Sequence, residues 1–196
     1  MRKAIVQRKT GETEIEISLT LDGKGIAVID TGIKFFDHML TQIAVHGLFD
    51  LVVKANGDLE IDAHHTIEDC GITLGMAFRE ALGDKKGIFR MGTAFVPLDE
   101  ALSRVVVDFS GRPYCVIEAN WSSPIVANIP ATLIEHFFQS FAVSSGATLH
   151  LACLYGKDNH HIAESLFKAI ARAMREAVEI DSRRKERVPS SKGILA

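Results

Sequence analysis

Asp62-Ala63-His64-His65-Thr66-Ile67-Glu68 and Asp158-Asn159-His160-His161-Ile162-Ala163-Glu164 are two copies of one short pattern, His-His-x-x-Glu, in one chain. Their first histidines stand 160 − 64 = 96 residues apart. Upstream, Asp37-His38 matches Glu135-His136 and Ala44-Val45 matches Ala142-Val143, both at an offset of 136 − 38 = 98. A two-residue gap between the matched segments reconciles the offsets. A shared order of elements carrying the same rare pentapeptide identifies an internal duplication. The fold expected is α+β: two similar sheet-and-helix halves, residues 1–92 and 93–196, packed about a pseudo-twofold axis as one compact duplicated domain with a basic C-terminal tail.

Around these anchors the elements follow from periodicity. Ile15 to Leu21 alternates apolar and polar residues and runs into Asp22-Gly23, so a hairpin with a return strand over Ile26 to Ile29 is expected. Phe35, Phe36, Met39, Leu40, Ile43 and Ala44 recur at helical spacing over Lys34 to Val45, with a stop near Gly47. Leu48 to Ala55 reads as a strand. From Thr66, the residues Ile67, Ile72, Leu74, Ala77, Phe78, Ala81 and Leu82 give a second helix that ends at Gly83. The second half repeats this order with strands at Arg104 to Phe109, Tyr114 to Glu118 and Ala147 to Tyr155. Its helices are one around Leu133 to Ala142 and one over Ile162 to Ile180. After Ile180 the chain becomes basic and turn-rich, ending in Pro189-Ser190-Ser191-Lys192-Gly193.

Composition sets the outer limits. The 196 residues are 47% hydrophobic and 24% charged, the balance of a chain that buries a proper core. A net charge of −3 argues against a general nucleic-acid binder, which needs many cationic contacts to phosphate. No apolar run approaches the roughly 18 residues of a membrane span, so no membrane partner is expected. Cys70, Cys115 and Cys153 are too scattered for a zinc or disulfide framework, which fits a reducing cytoplasm. The Asn120-Trp121-Ser122 sequon is read as chance, because the N-terminus lacks an export signal.

Six of the eight histidines fall at duplicated positions. At a helix start, residues three and four apart are neighbours, so Glu68 reaches the space beside His64 or His65, and Glu164 that beside His160 or His161. Adjacent histidines point in different directions, so each pair suits two metal ions better than one. His38 and His136, from the other helix of each half, supply further imidazoles. Six imidazoles and two carboxylates suffice for two metals with open positions for water or substrate, and the absence of thiolate leaves Mn, Fe, Co, Ni or Zn open. Asp37, Asp62 and Asp69 are candidate acceptors for ring N–H groups.

With these residues in view, the chain resembles imidazoleglycerol-phosphate dehydratase. FFDHML, DAHHTIEDCGITLG, SGRPY, GKDNHHIAESLFKA and PSSKG look like that family's signature segments, in order, across nearly the whole chain, in its monofunctional form. The resemblance implies dehydration of imidazole glycerol phosphate to imidazole acetol phosphate in histidine biosynthesis. It further implies two Mn(II) ions per active site and a homo-oligomer of 24 subunits whose sites draw on neighbouring chains. The implied metal ligands are His38, His64, His65, Glu68, His136, His160, His161 and Glu164. Gln42, His46, Arg90, Arg112, Lys168, Ser190 and Lys192 are implied around the substrate. Hydroxide is a poor leaving group; cations on the substrate imidazole acidify its N–H, and the imidazolate expels the hydroxyl through a diazafulvene-like intermediate. Glu12 and Glu164 are the candidates for the remaining proton transfers, with Glu12 also touching substrate.

Two other functions use the same residue types. A di-metal phosphoesterase would place a bridging water between the ions, but expects an aspartate-rich site. A metal-binding structural assembly protein would fill every coordination position with side chains.

Overall fold

The computed structural model describes residues 1–184 and 186–195. Its first half contains β1 (Lys3–Lys9), β2 (Thr13–Thr20), β3 (Ala27–Asp30), α1 (Lys34–Gly47), β4 (Asp50–Gly57) and α2 (His64–Leu82). Its second contains β5 (Met91–Leu98), β6 (Ala101–Asp108), β7 (Tyr114–Glu118), the short pair β8 (Ile125–Val126) and β9 (Ile129–Pro130), then α3 (Ala131–Ser145), β10 (Thr148–Tyr155) and α4 (Asn159–Val178). Each half builds a four-stranded sheet, β1-β2-β4-β3 and β5-β6-β10-β7, with the last strand of each order parallel to its neighbour and the others antiparallel. The two sheets have one topology, as a duplication requires.

Alternation along the strands orients each sheet. On β2, Thr13, Ile15, Ile17 and Leu19 are buried while the residues between them are partly or fully exposed; β6 does the same with Ala101, Ser103, Val105 and Val107. The buried faces carry the helices. α2 lies on β1 and β2, and α4 on β5 and β6. The helices of one half then meet those of the other, α2 against α3 and α1 against α4. One core runs through both halves, with Phe36, Phe78, Phe137, Phe138, Phe141 and Phe167 fully buried within it.

The sheet order corrects the expected hairpin between Ile15–Leu21 and Ile26–Ile29. β4 inserts between β2 and β3, because Leu51 and Val53 on it are fully buried whereas β3 is only half covered. Gly23 does not supply a tight turn; a Cβ there would meet the Asp50 amide at 2.3 Å. The Asp50 carboxylate accepts from the amides of Lys24 and Ile26 and so directs the chain past β4. Strands β1 and β5 complete the sheets at their edges, beyond the strands expected from sequence. β5 carries Pro97, which an edge strand tolerates because one side of its backbone is unpaired.

Both helices bearing the histidine pairs begin earlier than periodicity suggested, at His64 and Asn159. In each, an aspartate two residues before the first histidine accepts its backbone N–H: Asp62 Oδ1 from His64 and Asp158 Oδ1 from His160, both at 2.7 Å. This satisfies a donor the helix itself leaves unpaired. The histidine pairs therefore sit in first helical turns, with Glu68 and Glu164 one turn on.

Candidate metal centre

Helix packing across the halves decides which imidazoles meet. α1 brings His38 to α4, where its Nε2 lies 3.1 Å from Glu164 Oε2; His160 Nε2 lies 3.0 Å from the same oxygen. α3 brings His136 to α2, where its Nε2 lies 3.2 Å from Glu68 Oε1 while His64 Nε2 lies 3.6 Å from Glu68 Oε2. Each upstream histidine thus lies with the other half's cluster and not its own, a pairing the sequence left open. Two groups result, His38-His160-Glu164 and His64-Glu68-His136, and the ligating atoms within each lie within 4.8 Å of one another.

Both groups fit a divalent cation. The His136 Nε2 atom is buried and has no hydrogen-bond partner, despite its nearness to Glu68. A buried nitrogen lone pair left unmatched is costly, and a cation would satisfy it. At the other group two imidazoles converge on one carboxylate oxygen, an arrangement suited to an ion between them.

The surroundings of Glu164 are strongly cationic. Burial alone would raise its pKa, but hydrogen bonds from Lys168 (Nζ to Oε1, 2.7 Å), His38 and His160 outweigh that and bring it down to about 2. Gln42, one turn beyond His38, is buried; its amide donates to the His38 carbonyl at 3.2 Å and lies 3.4 Å from its Nδ1. His46, a turn further, has its pKa lowered by burial and then by the charges of Lys168 and Arg172. His38, Gln42, His46, Glu164 and Lys168 therefore form one neighbourhood where α1 crosses α4.

His65 and His161 stay outside both groups. His65 Nδ1 meets the Asp58 carboxylate at 3.0 Å, and its Nε2 faces Glu12 Oε1 at 3.7 Å. His161 Nδ1 meets Glu100 Oε2 at 2.6 Å, and its Nε2 faces Asp99 Oδ2 at 3.9 Å. The carboxylates raise the pKa of both imidazoles, Asp58 in one case and Glu100 in the other. Glu100 is held down to about 2 by the Asp158 amide first, then His161 and the Lys157 amide.

Sequence reasoning missed Asp58 and Glu100. Its own candidates for ring acceptors do other work: Asp37 accepts from the amide and hydroxyl of Thr31, Asp62 caps α2, and Asp69 binds Thr13 and Arg8. The overlooked signal is position: each acceptor lies at a strand end or hairpin tip facing the start of its helix.

The remaining candidates lie apart from the two clusters. Arg90 gives Nε and Nη2 to Asp108 at 2.6 and 2.8 Å and Nη1 to the Pro189 carbonyl at 2.9 Å, so it ties down the Pro-Ser-Ser-Lys-Gly tail. The Arg112 backbone is fixed by Ser110 and Thr148 and its side chain is exposed. Ser190 Oγ accepts from the Lys192 amide. Among the described residues, no hydrogen bond or ion pair joins Arg90, Arg112, Ser190 or Lys192 to either histidine cluster.

Residues 31–174 match the family model for imidazoleglycerol-phosphate dehydratase. The chain is 55% identical to the imidazoleglycerol-phosphate dehydratase of Hydrogenovibrio crunogenus over 100% of both chains, and 56% identical to that of Alkaliphilus metalliredigens over 96% of each. The crystal structure of the Pyrococcus furiosus enzyme superposes with a TM-score of 0.85 at 36% identity, over 97% of this chain and 100% of that one. The Staphylococcus aureus enzyme gives 0.83 at 36% identity, over 91% and 99%.

Proposed function

Because the chain belongs to the imidazoleglycerol-phosphate dehydratase family, hydro-lyases of histidine biosynthesis, we propose that it dehydrates imidazole glycerol phosphate to imidazole acetol phosphate at a site holding two Mn(II) ions. The ligands in this reading are His38, His64, His65, Glu68, His136, His160, His161 and Glu164. The observation that carries it is the pair of three-residue groups, one containing a buried imidazole nitrogen that makes no hydrogen bond.

When bound, the two cations would acidify the N–H of the substrate imidazole and favour loss of the neighbouring hydroxyl. The protein's own residues supply position and proton transfer. Glu164 is kept ionised by Lys168 and its two histidines, the form a metal ligand needs, and by position it is, with Glu12, the candidate for proton transfer. Glu12 sits on an exposed turn whose amide donates to Thr10 Oγ1, and its carboxylate carries no hydrogen bond among the described residues. It is free to accept or return a proton. Gln42, His46 and Lys168 form a polar stripe beside Glu164 that suits the phosphorylated chain of the substrate.

Arg112, Ser190 and Lys192 complete the phosphate contacts, with Arg90 contributing its unused N–H groups and holding the tail in place. Among the described residues no hydrogen bond or ion pair joins these groups to the histidine clusters, and His65 and His161 lie outside both groups. The reading therefore requires neighbouring subunits to supply part of each site, in a homo-oligomer of 24 subunits, so assembly and activity are linked. No helix of the described chain is long and apolar enough to cross a membrane, and a cytoplasmic location completes the proposal.

The test is turnover of imidazole glycerol phosphate by purified protein, before and after chelation, then with Mn(II) restored. Activity should vanish on chelation and return with Mn(II). Full turnover by metal-free protein would sink the mechanism, and release of inorganic phosphate would point instead to a phosphoesterase.

A further inference from the structure

His65 and His161 are each gripped on one ring nitrogen by a carboxylate the duplication does not predict. The two carboxylates come from different places. Asp58 follows the end of β4, whereas Glu100 stands at the tip of the β5–β6 hairpin. The matching tip of the first half, between β1 and β2, carries Glu12. Glu12 faces the Nε2 side of its histidine at 3.7 Å, while Glu100 binds the Nδ1 side of its own at 2.6 Å. The second tip also carries Asp99, which faces His161 Nε2 at 3.9 Å much as Glu12 faces that of His65, so Glu100 is the acid the second tip has in addition.

We propose that Asp58 and Glu100 are positioning residues that hold the proton of His65 and His161 on Nδ1 and so present Nε2 as a bare lone pair to a metal ion. The first half recruits Asp58 for this task and leaves its hairpin-tip Glu12 for proton transfer; the second commits its hairpin-tip Glu100. A neutral imidazole carries one N–H and one lone pair, and an ionised carboxylate accepts but does not donate. A carboxylate at Nδ1 therefore selects the tautomer whose Nε2 can ligate, and fixes the plane of the ring. The inference rests on the ligand assignment above for His65 and His161.

The two carboxylates are restrained to different degrees, which makes the idea testable. Glu100 Oε1 accepts from the amides of Lys157 and Asp158 at 3.0 and 2.8 Å, leaving Oε2 for His161. In Glu100→Gln the backbone amides demand the carbonyl oxygen, so the NH2 is turned toward His161. Nδ1 must then become the acceptor, and the proton moves to Nε2. The Asp58 carboxylate contacts Nδ1 with both oxygens, at 3.2 and 3.0 Å, and has no other hydrogen bond among the described residues. In Asp58→Asn the amide can rotate to keep an oxygen toward the ring, whereas Asp58→Ala cannot.

The experiment is titration of the chelated full-length protein with Mn(II) alone. Free ion is counted by electron paramagnetic resonance, and nitrogen couplings to bound ion are read by its pulsed form. Glu100→Gln and Asp58→Ala should each weaken one of two Mn(II) sites by about 10–100-fold and remove one histidine coupling, while Asp58→Asn stays near wild type. A role in packing alone predicts wild-type affinity in Glu100→Gln, which preserves shape and both backbone contacts. Wild-type affinity in Glu100→Gln, alongside a weakened His161→Ala, overturns the positioning role and spares the ligand assignment. Unchanged Mn(II) binding in His161→Ala overturns both.

Discussion

The two histidine clusters share a plan but not a neighbourhood. Around His38-His160-Glu164 the chain places Gln42, His46 and Lys168; the positions equivalent to these by the repeat offsets are Ser140, Ser144 and Ile72, beside His64-Glu68-His136. Glu164 is 12% exposed and ion-paired to Lys168, whereas Glu68 is 33% exposed and contacts only histidines. The two copies keep the same candidate metal ligands but differ in what surrounds them: polar side chains line the crossing of α1 with α4, and small or apolar ones the close-packed crossing of α2 with α3.

The sharpest way to break this contrast is to neutralise the two glutamates separately. With Mn(II) saturating, Glu164→Gln should lower kcat by about 10²–10⁴-fold, the usual span for loss of a positioned acid or base, with folding retained. Glu68→Gln should act mainly by weakening Mn(II) binding, so excess metal should restore much of its kcat. Equal kcat losses at saturating metal would mean that the two sites do not differ in role. Next in size is Lys168→Met, which makes this position resemble Ile72. If Lys168 reaches substrate phosphate, KM should rise about tenfold or more, the scale of a hydrogen bond to a charged group. An unchanged KM removes Lys168 from the phosphate site.

The sequence made the duplication legible because a paired-histidine motif with a following glutamate is rare and chemically costly to keep, and the helices legible because Phe35 to Ala44 and Ile162 to Val178 repeat at helical spacing. It did not reveal strand order. Alternation in Ile15 to Leu21 says that one face is buried but not which strand lies alongside, and the decision fell to Asp50 and the apolar β4. Nor could local pattern show that His38 and His136 exchange halves, since that follows from helix packing that brings His38 to Glu164, 126 residues on, and His136 to Glu68, 136 − 68 = 68 residues back. Glu100 escaped for the same reason, since it reaches His161 across 61 residues, whereas Asp58, only 7 residues before His65, escaped because it stands in the turn ahead of the helix and off its periodicity.

Close packing on the α2–α3 side is itself breakable. A Cβ at Gly75 would meet Ser144 Cβ at 2.7 Å, the Phe141 carbonyl at 2.8 Å and the Ser145 amide at 2.9 Å. The equivalent residue on α4 is Ala171, fully buried, and that of Gly71 is Phe167, so the second copy carries side chains where α2 has none. Gly75→Ala should cost about 1–3 kcal/mol in urea unfolding through overpacking. An unaltered midpoint would show that the helices can part without penalty.

The smallest effect concerns how each half closes the open end of its first hairpin. Arg2 and Arg90 occupy the same place, each accepting with its carbonyl from a cross-strand amide, Leu21 in one case and Phe109 in the other. Each gives its guanidinium to an aspartate, Asp22 or Asp108, and its Nη1 to a distant carbonyl, Val178 or Pro189. The Arg2–Asp22 pair is the more exposed, at 22% and 44% against 12% and 21%. Solvent screens it accordingly, so Asp22→Asn should cost at most about 0.2–1 kcal/mol at neutral pH. The hydrogen bond from Arg2 lowers the Asp22 pKa beneath its ordinary 3.8, so the stabilisation is fully present above that value and disappears as pH falls through the lowered one. Wild type and Asp22→Asn should therefore differ in urea midpoint near neutrality and converge in acid, once the pH has fallen through the lowered Asp22 pKa. A gap that widens in acid would mean that Asp22 acts through something other than its charge.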